Sequence, residues 1–106
     1  MENKYCVITT SCNDKENAKQ ITERLLEKRL VSYVQESKRF SSYWWKGNIV
    51  REEEYVLTMG TRKLLYEKVK QEIQLIHNYE VPAIVMYDIT DGNPEIFEWI
   101  DEETKV

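Results

Sequence analysis

Apolar residues along this chain recur with two different periods. Residues 5–10 form a short run of β-branched and aromatic side chains, which is typical of a buried strand. Over residues 18–26 the apolar positions are spaced three or four apart with charges between them, which predicts an amphipathic helix. Asn13, followed three residues later by Glu16, fits the capping box that begins such a helix.

The middle of the chain predicts a long β-hairpin. Residues 32–45 look extended, residues 46–48 have the Lys-Gly-Asn sequence of a turn, and residues 49–59 return as the partner strand. Both arms are longer than the usual strand of about five or six residues. Three adjacent aromatic side chains, at positions 43–45, lie close to the turn and are expected to be exposed on a single chain.

The last third of the chain predicts a second helix, a strand and a short terminal helix. Thr61 is placed to cap the second helix, and His77 is placed to end it. A fourth strand is expected over residues 83–88, and a short helix is expected around residues 95–100. No linker or internal repeat interrupts the chain, so residues 1–106 are expected to form one domain.

The order of these elements predicts an α+β domain of the ferredoxin-like βαββαβ kind, with a long hairpin and a short C-terminal helix. Right-handed crossovers place both main helices on one face of the sheet. The first and fourth strands are nevertheless apolar on both sides, as Val7 and Val85 illustrate. A neighbouring subunit is therefore expected to cover the second face. The alternative is that the terminal helix folds back over this face and that the tryptophans pack on their own hairpin.

Composition narrows the class of protein. Of the 106 residues, 42% are hydrophobic and 32% are charged, which indicates a folded domain rather than a disordered chain. No apolar run approaches the roughly 18 residues of a spanning helix, so membrane insertion is not expected. The net charge of −4, dispersed along the chain, disfavours nucleic-acid binding. The lack of a signal-peptide pattern favours the cytoplasm, where Cys6 and Cys12 would be reduced thiols.

Three separately spaced blocks of sequence resemble one family. Residues 41–49 have the spacing S-x-Y-x-W-x-G-x-I, residues 77–82 read H-N-Y-E-V-P, and residues 92–100 carry G-N-P and then W-I. In this order the blocks closely resemble the CutA divalent-cation-tolerance family, and the similarity spans nearly the whole chain. The resemblance implies a ferredoxin-like subunit in a tight homotrimer, with a role in the tolerance of divalent metals and above all of copper.

The first hypothesis is therefore a trimeric binding protein, without catalysis, connected with copper or other divalent cations. The residues expected at the subunit interface are aromatic: Tyr43, Trp44, Trp45, Tyr79 and Trp99. The chain departs from the family pattern at Tyr33, where a cysteine is common, and at Met59, where a lysine is common. No role that depends on that cysteine or lysine is assigned to these two positions.

The residues that predict a metal site are His77, Glu80 and Cys12. Imidazole, carboxylate and thiolate ligands, drawn from one chain or from two neighbouring chains, suit copper or zinc. Cys12 lies in the loop before the first helix, where the helix dipole favours a thiolate. His77 also has a simpler interpretation, in which its ring bonds the last carbonyls of its helix. No cofactor is expected to be obligatory.

Two other functions remain open from the sequence. One is a small-molecule or nucleotide sensor similar to the PII signalling proteins, with its ligand between subunits, although their basic glycine-containing loop is missing. The other is a small hydrolase that uses Cys12 and His77, which no nucleophile motif supports. Within the charged run at residues 51–54, Glu52 and Glu54 fall on one side of a strand, and the run predicts a solvated strand edge.

Overall fold

The computed structural model describes residues 3–105 of the chain. The elements are, in chain order, β1 (Tyr5–Cys12), α1 (Lys15–Glu27), β2 (Tyr33–Trp45), β3 (Asn48–Arg62), α2 (Tyr66–Ile76), β4 (Ile84–Asp88) and α3 (Pro94–Glu103). The four strands form one sheet in the order β2-β3-β1-β4, and each neighbouring pair is antiparallel. This arrangement confirms the predicted α+β fold, with its long hairpin and short terminal helix.

The hydrophobic core lies between one face of the sheet and the helices α1 and α2. Alternate residues of β1, beginning with Cys6 and Ile8, are buried on this face, as the period of a strand requires. Ile21 of α1 and Ile73 of α2 are completely buried against them. The opposite face of the sheet, which we call the reverse face, carries the odd-numbered residues of β1 and their partners on β3 and β4.

The β2–β3 hairpin extends well beyond the rest of the sheet. Its arms pair from Tyr33 with Gly60 to Trp45 with Asn48, whereas β1 pairs with β3 only as far as Tyr55. The turn has positive φ at both Lys46 (48°) and Gly47 (82°), which is the type I′ geometry that matches the twist of a two-residue hairpin. The predicted turn is therefore confirmed, and residues 48–54 of β3 have only β2 as a strand partner.

The terminal helix α3 covers one end of the reverse face. Phe97 stacks on Tyr5 with ring centroids 4.4 Å apart, and Trp99 stacks on Tyr33 at 6.1 Å. The Tyr33 ring lies so close to Gly60 that a Cβ there would be 2.4 Å from a ring carbon. Over β4, however, Val85 is 42% exposed and Tyr87 is 57% exposed. The alternative of a helix folded over the reverse face is thus correct for one end of that face.

Two predicted helix caps are wrong. Asp14, not Asn13, begins α1, because its carboxylate accepts the backbone N–H of Glu16 at 2.9 Å. Thr61 does not cap α2 but is the penultimate residue of β3, and its hydroxyl donates to the carbonyl of Leu30 at 2.6 Å. A short 3₁₀ turn leads into α2 instead. For Thr61 the cause is tertiary, since its hydrogen-bond partner lies 31 residues away.

None of the helices in residues 3–105 is both long enough and apolar enough to cross a membrane.

Candidate functional site

A cluster of two tyrosines and two glutamates lies on the reverse face where the hairpin leaves the body of the sheet. We call Tyr43, Glu52, Glu54 and Tyr79 the Tyr–Glu cluster. The Tyr79 hydroxyl lies 2.5 Å from Glu54 Oε2 and 3.0 Å from Glu52 Oε1, and the Tyr43 hydroxyl donates to Glu52 Oε1 at 2.5 Å. Because a hydroxyl has one proton, Tyr79 donates to one carboxylate at a time.

Strand geometry brings the two carboxylates together. Glu52 and Glu54 are two residues apart on β3, so both side chains project from the same face. Both lie beyond Tyr55, the last residue of β3 that pairs with β1. The loop between α2 and β4 enters this space and places Tyr79 against the glutamates.

The carboxylates of the Tyr–Glu cluster accept hydrogen bonds from neutral tyrosine hydroxyls. Glu54 is only 5% exposed, and among residues 3–105 neither glutamate forms an ion pair with a lysine or arginine. The hydrogen bond from Tyr43 lowers the pKa of the Glu52 carboxyl, and the same bond raises the pKa of Tyr43 to about 12. Burial is the main cause that raises the pKa of Tyr79, and the hydrogen bond to Glu54 raises this pKa further. Both phenols therefore keep their protons at neutral pH.

His77 adjoins the cluster with both ring nitrogens occupied. Nε2 lies 2.9 Å from the Ser11 carbonyl, and Nδ1 lies 3.0 Å from the backbone nitrogen of Tyr79. A carbonyl only accepts and a backbone N–H only donates, so Nε2 carries the proton. Burial lowers the pKa of the ring, which favours this neutral form. His77 ends α2 as predicted, but its ring bonds β1 rather than the last carbonyls of its own helix.

The three predicted metal ligands do not come together within one chain. The Cys12 side chain is completely buried on the helix side of the sheet, and burial raises the pKa of its thiol to about 11. Glu80 is exposed and lies 3.4 Å from Lys46 Nζ. Within the described residues there is no group of three or more His, Cys, Asp or Glu side chains that could hold a metal ion. A set completed by a neighbouring chain stays a prediction.

The predicted interface residues occupy several surfaces. Tyr43 and Trp45 fall on the reverse face of the hairpin, whereas Trp44 is on the opposite face across from Ile49. Trp44 is 72% exposed. Trp99 packs on Tyr33 but keeps two-fifths of its surface open, and the Tyr79 hydroxyl is engaged in the Tyr–Glu cluster.

The prediction of a solvated strand edge at residues 51–54 is wrong for Glu54. The alternation in sequence correctly places Glu52 and Glu54 on one side of the strand, but Tyr79 covers that side. The sequence contained two relevant features: the acidic pair on one face of a strand, and the H-N-Y-E-V-P block at residues 77–82, which contains Tyr79. Nothing in the local sequence joins these two features.

Comparison with known proteins agrees with the fold and the sequence blocks. A family model described as "CutA1 divalent ion tolerance protein" matches residues 6–103. The chain belongs to the CutA family. It is 34% identical to the divalent-cation tolerance protein CutA of Pyrococcus horikoshii over 99 residues, which are 93% of this chain and 97% of that protein. The corresponding protein of Thermus thermophilus is 32% identical, over 92% of this chain and 96% of that protein.

Solved structures of the CutA family have the same fold. The structure of a periplasmic divalent cation tolerance protein CutA from Archaeoglobus fulgidus matches with a TM-score of 0.93 and 32% identity, covering 95% of this chain and 99% of that one. CutA1 from Pyrococcus horikoshii matches with a TM-score of 0.91 and 33% identity, covering 95% and 99%. The resemblance inferred from three sequence blocks is thus confirmed. These relatives are named for the tolerance of divalent cations and not for an enzymatic activity.

Proposed function

We propose that this CutA-family protein acts in divalent-cation tolerance as a cytoplasmic homotrimer that binds copper and catalyses no reaction. Membership of the CutA family supports the role in divalent-cation tolerance. The observation that supports the homotrimer is the exposed apolar surface of β4 on the reverse face, where Val85 and Tyr87 are about half open to solvent. Exposed apolar side chains at alternate positions of an outer strand, and so on one face, are a common feature of subunit contacts. The aromatic hairpin residues Tyr43, Trp44 and Trp45, which lie on both faces of the hairpin, are the other proposed interface residues.

The proposed copper ligands are His77 and Glu80, with Cys12 as a third donor or with a donor from the neighbouring subunit. The imidazole is neutral, and so already in the protonation state that binds a metal. Its lone pair is on Nδ1, which accepts the backbone N–H of Tyr79, so the ring binds copper through Nδ1 only when that hydrogen bond opens. Glu80 is exposed and three residues away in the same loop. Cys12 joins only if its buried side chain moves.

Two measurements test the proposal: sedimentation equilibrium for the homotrimer and copper titration for the metal site. Sedimentation equilibrium at micromolar concentration is expected to give three times the chain mass. In calorimetric titrations, His77→Ala should weaken copper binding by about tenfold or more, and Glu80→Ala by less, because imidazole is the stronger copper ligand.

The matched control for copper binding is Glu67→Ala, which removes an exposed carboxylate from α2, remote from the proposed ligands. Its copper affinity should equal that of the parent protein. Equal affinities in the parent and His77→Ala proteins would remove His77 from the site. A monomeric parent would remove the trimer.

A further inference from the structure

Asn17 is a polar residue on the buried side of α1, where its neighbours along the helix are apolar. It is only 1% exposed. Both polar atoms of its side chain nevertheless have partners, since Nδ2 donates to the Ile76 carbonyl at 2.8 Å and Oδ1 accepts the backbone N–H of Asn78 at 3.0 Å. Because a carbonyl only accepts and a backbone N–H only donates, these two partners fix the orientation of the amide.

The two partners of Asn17 lie on either side of His77. Ile76 is the last residue of α2, so its carbonyl is one of those that a helix leaves without a partner of its own. Asn78 follows the histidine and begins the loop toward β4. One buried side chain of α1 therefore holds the backbone immediately before and immediately after the histidine, from 59 and 61 residues away in the sequence.

The histidine between these two points has its lone pair enclosed. Nε2 of His77 carries the proton and donates to the Ser11 carbonyl, so the lone pair is on Nδ1, which accepts the backbone N–H of Tyr79 at 3.0 Å. A metal ion or another electrophile that binds this lone pair must first displace the N–H. The N–H of Tyr79 leaves the ring only if the backbone turns at residue 78, and this is the residue that Asn17 holds.

We propose that Asn17 is a positioning residue that keeps Nδ1 of His77 closed to ligands. For copper, this rests on the proposed function, in which His77 is a ligand, and it adds a buried restraint on access to that ligand. Only molecules with an open loop bind at Nδ1, so the apparent affinity is reduced by the fraction of molecules that are open. If Asn17 were only a cap for α2, its loss would lower stability without changing the availability of the histidine.

Asn17→Ala tests the restraint, because the substitution removes both hydrogen bonds and makes opening of the loop easier. His77 is the only histidine in the sequence, so its reaction product and its ring signals are identified without ambiguity. Diethyl pyrocarbonate, which acylates the unprotonated nitrogen of a neutral imidazole, is a probe that requires no metal. At about pH 7.5, where an ordinary imidazole is neutral, Asn17→Ala should react about tenfold faster than the parent.

Copper binding and the ring nitrogens give two further measurements on the same pair of proteins. Asn17→Ala should bind copper about tenfold more tightly in calorimetric titrations, because a larger fraction of molecules is open. The nitrogen-15 shifts of the His77 ring should be those of a single Nε2–H tautomer in the parent and should move toward a mixture of tautomers in the variant.

Thr61→Val is the matched control, because it also removes a hydrogen bond between a buried side chain and a backbone carbonyl. Thr61 pairs with Cys6 at the start of β1, whereas Ser11 lies near the end of that strand. Thr61→Val should lower the free energy of unfolding and leave the acylation rate, the copper affinity and the ring nitrogen shifts at the parent values.

Hydrogen exchange of the parent tests the restraint in case Asn17→Ala folds poorly. The amide protons of Asn78 and Tyr79 are both released when the loop opens, so they should have similar and substantial protection factors. Exchange of both protons at the rates of an unstructured peptide would overturn the proposal without any variant.

The other results separate the restraint from the copper site. An unchanged acylation rate and unchanged ring shifts in a folded Asn17→Ala protein would overturn the proposal. Faster acylation with unchanged or weaker copper binding would overturn the restraint on metal binding and show that Asn17 instead holds His77 in the geometry that copper needs. Equal copper affinities of the parent and His77→Ala would overturn the proposed copper site, and the acylation rates would still decide whether Asn17 closes the histidine.

Discussion

Tyr79 is the residue on which the geometry of the candidate site depends most. Its hydroxyl donates to a glutamate on β3, and its backbone N–H donates to His77 Nδ1. One residue therefore anchors the loop after α2 and sets the tautomer of the histidine proposed to bind copper. A buried carboxylate without a donor is costly, so the hydroxyl that serves Glu54 contributes stability as well as position.

Tyr79→Phe tests this contribution through its pH dependence. The substitution should lower the free energy of unfolding by about 1–3 kcal/mol at pH 7, because Glu54 loses its donor. The pKa of Tyr79 is raised in the folded protein, so the stabilisation is fully present below the pKa of about 10 of an unfolded tyrosine. Above that pH the unfolded parent releases the proton first. The difference between parent and variant, measured by urea unfolding from pH 7 to 11, should therefore shrink above pH 10.

The destabilisation by Ile100→Ala serves as the control, because that substitution removes no ionisable group. It should stay constant over the same pH range. If the difference in unfolding free energy between the parent and Tyr79→Phe is equally constant, then the Tyr–Glu cluster does not raise the pKa of Tyr79.

The residues of the site were only partly predictable from the sequence. Strand alternation alone placed Glu52 and Glu54 on one side, and the position of His77 at the end of a helix followed from the apolar periodicity before it. The burial of Glu54 could not be foreseen, since it depends on a tyrosine 25 residues further along the chain. The partner of His77 Nε2 is 66 residues away, at Ser11, and is equally beyond local sequence patterns.

At the level of elements, α3 is attached to the sheet by several kinds of contact. Ile100 is almost completely buried, and the Tyr5 hydroxyl donates to Asp101 at 2.8 Å. Arg62 bonds both the hydroxyl and the carbonyl of Thr104, the residue that ends the helix. The attachment leaves the acidic side of the helix, with Glu95, Glu98 and Glu102, facing outward.

Ile100→Ala tests how firmly α3 belongs to the folded unit. Truncation of a buried isoleucine loses apolar burial and leaves a cavity, so it should lower the free energy of unfolding by about 2–4 kcal/mol in urea titrations. Leu75→Ala is the matched control, since Leu75 is an exposed aliphatic residue of α2 and its truncation should cost less than about 1 kcal/mol. Equal effects of the two substitutions would show that α3 is not packed as part of the core.

The existence and order of the elements were predictable, whereas their ends were less so. The hairpin was evident because its turn sequence, Lys46-Gly47, suits the positive φ angles of a type I′ turn. The terminal helix was expected to end near residue 100 and instead continues to Glu103, where Arg62 of β3 supports the following residue. Thr61 looked like a helix cap because the sequence does not show that β3 continues through it. Tertiary contacts decide such boundaries.

For the whole molecule, the reverse face divides into a covered part and an open part. The covered part lies under α3, at the end where β1 begins. The open part includes Val85 and Tyr87 on β4, which is an outer strand of the sheet. A single chain therefore has a complete core but leaves apolar surface on this strand, and the proposed homotrimer would add stability by covering it.

The melting temperature should consequently rise with protein concentration, because association stabilises only the folded chain. Tyr87→Glu places a charge on the open part of the reverse face and should remove this dependence while leaving the far-ultraviolet circular dichroism spectrum unchanged. Leu75→Glu makes a comparable change at an exposed position on α2 and should melt like the parent at every concentration. Scanning calorimetry over a hundredfold range of concentration measures all three proteins. If parent and Tyr87→Glu melt at the same temperature throughout, then this strand is not a subunit contact, and the exposed tyrosine is tolerated on a monomer.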